Sequence, residues 1–367
     1  MRAAIVTAFC LITGIACLLA QTPATATLNI YYIDTEGGQS TLFVAPSGES
    51  LLVDTGNAGE RDLSRIVDTL KTAGVKQIDH MWTTHYHGDH IGALLALEKQ
   101  FPMMHFYDHG KPHPNDRIVS AAFLTSYEQL SQGKRTIVKP GDKVKMNGLD
   151  ITAVASANQF IRSNLQGGGK QNAACTGVPR KDESAYADPD NGDSAGFVLA
   201  YGRFRTADLG DLTWNGELDL MCPTNRIGTV DLYLTSHHGL AKSGSPALVH
   251  ALQPRVAVMN NGTRKGGEPD AFRVLRESPG LEDLWQLHWS YNVGLDNTPG
   301  TFVANVDDNT AVANVLTAQP QTPGARGGAG AAAHTPAFLI KVSAQQDGTF
   351  TVTNTRNSFS KTYRARP

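Results

Sequence analysis

The sequence predicts an α/β chain: a single-domain, four-layer αββα sandwich with two sheets face to face and helices outside. Three observations point there. Strand-like and helix-like segments alternate in two series along the chain. The strands opening the first series alternate apolar and polar residues between glycine turns, and polar residues with reactive side chains recur where strands end.

The first series opens with "LNIYYID" (28–34), "STLFVAPS" (40–47) and "SLLVDTG" (50–56), with Gly37, Gly38 and Gly48 marking turns. "GERDLSRIVDTLKTAGV" follows, and its Leu63, Ile66, Val67 and Leu70 recur at helical spacing. "QIDHMWTTH" reads as a strand, "IGALLALEKQF" as a short helix, "MMHFYDH" as a strand and "RIVSAAFLTSYEQLSQ" as a helix. Short strands at "RTIVKP", "DKVKM" and "LDITAVAS" lead into a polar, Gly-rich stretch over 157–192, read as an ordered insertion or lid.

The second series runs from "SAGFVLAYGRFRTADLGD" through "VDLYLTSHHG", the helix "SPALVHALQ" and the strand "RVAVMNN" to a helix around "DAFRVLRES" and "DLWQLHWS". Residues 317–336 are low-complexity and read as a surface loop. Residues 337–367 alternate around Asp347-Gly348 as a closing hairpin.

"TTHYHGDHIGA" (83–93) sets His85, His87, Asp89 and His90 within six positions at the end of a strand. Residues two apart on extended chain point the same way, so His85 and His87 can reach one ion. Asp89 and His90, where the chain turns into a helix, can address a second. Imidazole with carboxylate suits Zn²⁺ and admits Mn²⁺ or Fe²⁺.

That stretch resembles the HxHxDH signature of the metallo-β-lactamase superfamily, and other pieces follow in the family's order. "LLVDTG" with Asp54 is similar to its early strand-end aspartate, "LGD" with Asp211 to its metal-bridging Gly-Asp and "LTSHHG" with His237 and His238 to its late ligand histidine, so the resemblance spans roughly 28–306. "YYIDTEGGQST" and "NGDSAGFVLAYGRF" add a likeness to the branch with the hydrolase domain of DNA-uptake competence proteins and a teichoic-acid phosphorylcholine esterase.

The resemblance implies a metallo-β-lactamase fold holding two zinc ions. His85, His87 and Asp211 would hold the first, and Asp89, His90, Asp211 and one of His237 and His238 the second. The other late histidine would protonate the leaving group, and Asp54 would orient a ligand from behind. The reaction implied is hydrolysis of a phosphodiester or phosphate ester by metal-bound hydroxide. A lactamase- or lactonase-type acyl hydrolase, or a metal-binding protein with little catalysis, are the alternatives. One departure stands out: "ITAVASANQF" carries no histidine where many relatives place a further ligand, and His105, His109 and His113 come too early, as surface or loop residues.

Around this set, Asp208 is the alternative to Asp211, while Arg264 and Lys265 in "NNGTRKGG" are candidate phosphate contacts. His288 reads as a pocket residue or a packed structural histidine, Trp214 and Glu217 either shape a pocket or start a helix, and His80 reads as structural. The partner expected is a small-molecule or polymeric phosphate ester. A net charge of −2 gives no general field for nucleic acid, and no later segment suits a membrane channel.

The first 26 residues, with Arg2 before an apolar run ending near Ala20, read as a secretory signal peptide, and Cys17 as an alternative lipid anchor. An exported, secreted or periplasmic protein is expected. The mature chain would keep only Cys175 and Cys222, which pair as a disulfide or stay as two buried thiols.

Overall fold

A computed structural model describes residues 26–306 and 335–366. Strands β1 (Leu28–Tyr32), β2 (Thr41–Val44) and β3 (Ser50–Val53) form an antiparallel meander. Strands β4 (Ile78–Trp82), β5 (Met103–Asp108) and β6 (Arg135–Ile137) then add in parallel. Parallel addition needs crossovers. These are α1 (Glu60–Thr72), the short α2 (Gly88–Ile91) and α3 (Leu94–Glu98), and α4 (Ala121–Ser131).

The second sheet starts with β7 (Lys143–Met146) and β8 (Leu149–Ser156), which pairs with β9 (Gln159–Phe160). The insertion then runs through β10 (Lys170–Gln171) and single helical turns. Next come β11 (Gly196–Tyr201), β12 (Phe204–Asp208), α5 (Trp214–Met221) and β13 (Thr224–Asn225), the partner of β10. Strand β14 (Leu232–Leu234), α6 (Pro246–Leu252), β15 (Val256–Met259), α7 (Pro269–Arg276), β16 (Asp283–His288) and β17 (Val303–Asn305) complete the parallel half.

The chain finally returns to the first sheet through β18 (Ile340–Ala344), β19 (Phe350–Asn354) and β20 (Ser360–Tyr363). Strands β18 and β19 turn at Asp347-Gly348, but β20 follows, so the expected hairpin is a three-stranded extension attached through β18 to β1. The first sheet thus orders as β20-β19-β18-β1-β2-β3-β4-β5-β6 and the second as β17-β16-β15-β14-β12-β11-β8-β7.

Three buried layers make this an αββα sandwich. Between the sheets, Phe43 and Trp82 meet Phe197 and Leu199, with the Trp82 and Phe197 rings 4.9 Å apart. Outside the first sheet, Leu63, Ile66 and Leu70 of α1 cover Leu52 and Met81, which is the face their spacing predicts. Outside the second, Leu248 of α6 and Phe272 of α7 cover Tyr233 and Ala257. Cys175 and Cys222 are disulfide-bonded, tying the insertion to the end of α5. The leader lies outside the described residues except Ala26, and the 317–336 stretch except for its last two residues. Among the described residues no helix is long and apolar enough to cross a membrane.

Candidate metal centre

Strand β4 ends at Trp82, and the chain passes a bend at Thr84 before α2 begins at Gly88. His85 and His87 come together on this segment, with His85 Nε2 3.0 Å from His87 Nδ1. Their other nitrogens are fixed from behind: Thr84 Oγ1 lies 3.1 Å from His85 Nδ1, and Asp116 Oδ2 lies 2.9 Å from His87 Nε2. His90, on the first turn of α2, has Nδ1 2.7 Å from Asp54 Oδ2. Asp54 also accepts from the Thr84 amide and hydroxyl, at 2.8 and 2.7 Å.

The second half of the chain contributes Asp211 and the late histidines. Gly210, at φ 55°, lets the turn after β12 pass close to Thr84, where a Cβ would sit 2.7 Å from the threonine Cβ. Asp211 Oδ2 then lies 3.2 Å from His90 Nε2, 3.4 Å from both His237 Nε2 and His238 Nε2, and 4.0 Å from His85 Nε2. His238 Nε2 is also 3.4 Å from Asp89 Oδ2 and 3.3 Å from His90 Nε2. His237 Nδ1 lies 3.2 Å from Ser243 Oγ, and its Nε2 lies 3.5 Å from the Asn191 amide nitrogen. Asp208, by contrast, accepts from Gln39 at 3.1 Å and from the Gly210 amide, on the far side of the turn.

Burial and mutual charge polarise the cluster. Burial together with the neighbouring His90 and His87 drives His85 well below the usual imidazole range. Burial also opposes charge on His90, but Asp211, Asp89 and Asp54 outweigh it and raise that ring. Asp211 is held low against its burial by His237, His238 and His90. Asp89 is likewise held low against burial, chiefly by Lys265, whose ammonium donates to its Oδ2.

A divalent cation fits this set. Unshared pairs of imidazoles and carboxylates converge, Asp89, His90, Asp211 and His238 offer donors within 4.8 Å of one another, and Asp211 Oδ1 is buried with no hydrogen bond of its own.

His288 is a packed structural histidine: it is fully buried, with Nε2 2.5 Å from Asp34 Oδ1, beside Arg65, which bonds both Asp34 and Glu36. His109 is a loop residue after β5 but not a surface one, at 2% exposed. Glu217 lies in the first turn of α5, binds the Gly244 and Ser245 amides at 2.7 and 2.6 Å and faces no opening. Arg264 stacks over Tyr291 at 5.0 Å, Trp214 carries the Lys181 ammonium at 3.6 Å, and His80 bridges Glu49 and Tyr107.

Sequence reasoning missed Asp116, Thr84, Asn191 and Ser243. Thr84 and Asn191 sit inside stretches already singled out but carry no ligand-type side chain, while Asp116 and Ser243 lie outside every motif and matter only because a loop brings each behind a ligand-type histidine. Beside the centre lies a cavity of about 280 Å³ walled by His113, Glu183, Tyr186, Asp193 and Thr213.

Residues 34–136 match the model of the family described as the metallo-beta-lactamase superfamily. Among curated relatives, a coenzyme F420H(2) oxidase of Methanothermobacter marburgensis is 26% identical over 103 residues, 28% of this chain and 24% of that protein. An atrochrysone carboxyl ACP thioesterase of Passalora fulva is 36% identical over 66 residues, 18% of this chain and 19% of that one. The chain spans about a quarter or less of the length of these relatives. Among solved structures, the metallo-beta-lactamase fold protein YhfI from Bacillus subtilis aligns at TM-score 0.44 and 12% identity, covering 71% of this chain and 96% of that one. The match reaches the superfamily and stops short of the narrower branch.

Proposed function

We propose that the chain, whose residues 34–136 match the metallo-beta-lactamase superfamily model, is an exported, metal-dependent hydrolase of phosphodiesters or related phosphate esters. One observation carries the reading: Asp211 Oδ2 sits within 4.0 Å of nitrogens from four histidines drawn from both halves of the chain. His85, His87 and Asp211 would hold one ion, and Asp89, His90, Asp211 and His238 a second. His237 Nε2 reaches Asp211 from beside Asn191, so it can stand in for the histidine that β8 lacks. Zn²⁺ suits the donors best; when bound it would acidify a water and neutralise charge at the attacked centre.

The chain's own groups set up the rest. Asp54 and Asp116 orient His90 and His87 by holding their outward nitrogens. Lys265 brings a positive charge to the rim at Asp89, where an anionic ester would arrive. This supports a phosphate substrate over a neutral one. Export is supported by the apolar N-terminal run and by the Cys175–Cys222 disulfide.

An acyl hydrolase is the second reading, favoured by the stretch shared with the Passalora fulva thioesterase. The deciding experiment is a panel of bis-nitrophenyl phosphate, phosphocholine esters, nitrocefin and an acyl thioester, run on zinc-loaded wild type and His87→Ala. The phosphate reading requires turnover of a phosphate ester that His87→Ala loses by at least a hundredfold. Turnover of only the acyl compounds would overturn it.

A further inference from the structure

His109 follows β5, its ring against Tyr86 with centroids 4.6 Å apart, and it is 2% exposed. Its Nε2 lies 3.4 Å from Asp190 Oδ2 in a loose pair, and its Nδ1 has no hydrogen-bond partner. A buried imidazole nitrogen left without a partner is rare, because both ring nitrogens are strong polar groups.

Its surroundings are acidic. Asp190 is fully buried and Asp193 is 8% exposed, and His109, Asp190 and Asp193 offer donor atoms within 4.8 Å of one another. The charged groups that act most on Asp193 are His109, Asp190, His113 and Asp116. Arg180, on the same cavity wall, is engaged by Asp219. Asp190 accepts from the Tyr86 amide at 2.9 Å and the His113 amide at 2.6 Å, one on each oxygen, which leaves each oxygen a further lone pair.

We propose that His109, Asp190 and Asp193 form a separate site for a divalent transition-metal ion. One imidazole and two carboxylates suit Zn²⁺ or Mn²⁺. Asp193 also lines the cavity beside His113, so water can complete the coordination from that side.

The site would act on the main centre through a short path. The Asp190 amide donates to Asp116 Oδ2 at 3.0 Å, and the same oxygen lies 2.9 Å from His87 Nε2. An ion at Asp190 would fasten the loop that orients His87. The competing explanation is that His109 simply pairs with Asp190 and the three residues bind no metal.

Metal counting separates the two. The full chain is stripped with chelator, reloaded with Zn²⁺ alone, dialysed and measured by plasma mass spectrometry. The proposal requires His109→Ala and Asp193→Asn each to hold one equivalent fewer than wild type. It also requires a His85→Ala/Asp211→Asn protein to keep one equivalent, which further substitution of Asp193 removes. Asp193 borders the cavity, so its amide variant tests the site even if His109→Ala fails to fold. Equal metal in wild type and Asp193→Asn, with none left when the main centre is disabled, would overturn the proposal. A wild type that holds only the single equivalent removed by Asp193→Asn would instead count against the hydrolase reading.

Discussion

Glu217 shows how burial, rather than catalysis, sets a carboxyl's behaviour in this protein. Burial lifts it to about 7 from an ordinary 4.5, while the Ser245 and Gly244 amides pull the other way. A carboxyl raised in the fold stabilises it when protonated. That contribution is complete below about 4.5 and is lost as pH climbs through 7. The amount at stake is on the order of 3 kcal/mol. Glu217→Gln cannot ionise, so its stability deficit against wild type should shrink between pH 5 and pH 8. Urea unfolding of both chelator-treated proteins at the two pH values measures this, and a deficit that grows with pH would refute it. Asp211, buried as deeply, behaves oppositely because three histidines surround it.

At the scale of elements, the tandem His237-His238 is a constrained piece of backbone. Both residues are left-handed, at φ 54° and 57°, a conformation costing roughly 1–3 kcal/mol each in a side-chain-bearing residue. The geometry is held by the loop after β15, where the Gly267 amide donates to the His238 carbonyl at 2.9 Å. Gly266, at φ 71°, passes so close that a Cβ would collide with that carbonyl oxygen. Gly266→Ala should therefore displace His238 and lower zinc retention at least tenfold in competition with a chelator, while far-ultraviolet circular dichroism stays native. Undiminished retention would show that the loop does not position the histidine.

Elements of this kind were legible to different degrees. The α1 stripe and the crowding at 85–90 are local patterns, so periodicity and spacing reveal them. Asp116 behind His87, Lys265 on Asp89 and His109 beneath Tyr86 depend on loops meeting across tens to more than a hundred residues. Nothing in a window of sequence encodes those meetings. His288 stayed open for the same reason: a histidine after an apolar run looks alike whether it faces a cavity or Asp34.

For the whole molecule, the centre is a product of sheet pairing. The first sheet presents His85 to His90 at the end of β4, the second presents Asp211 after β12 and His237-His238 after β14, and the Phe43, Trp82 and Phe197 core keeps the two ends together. The three C-terminal strands add Val342, Phe350, Val352 and Tyr363 to that core, so the site depends on chain far from any ligand. The two-series alternation in the sequence foretold the paired sheets. The attachment of the last three strands to β1 was not visible, because strand pairing at that separation leaves no local mark.

The most direct test concerns the residue that joins the halves. Zinc content of Asp211→Asn, measured beside wild type after reloading and dialysis, should fall to no more than the single equivalent assigned to His109, with the fold intact by circular dichroism. An Asp211→Asn protein that keeps all the zinc of wild type would contradict a shared centre.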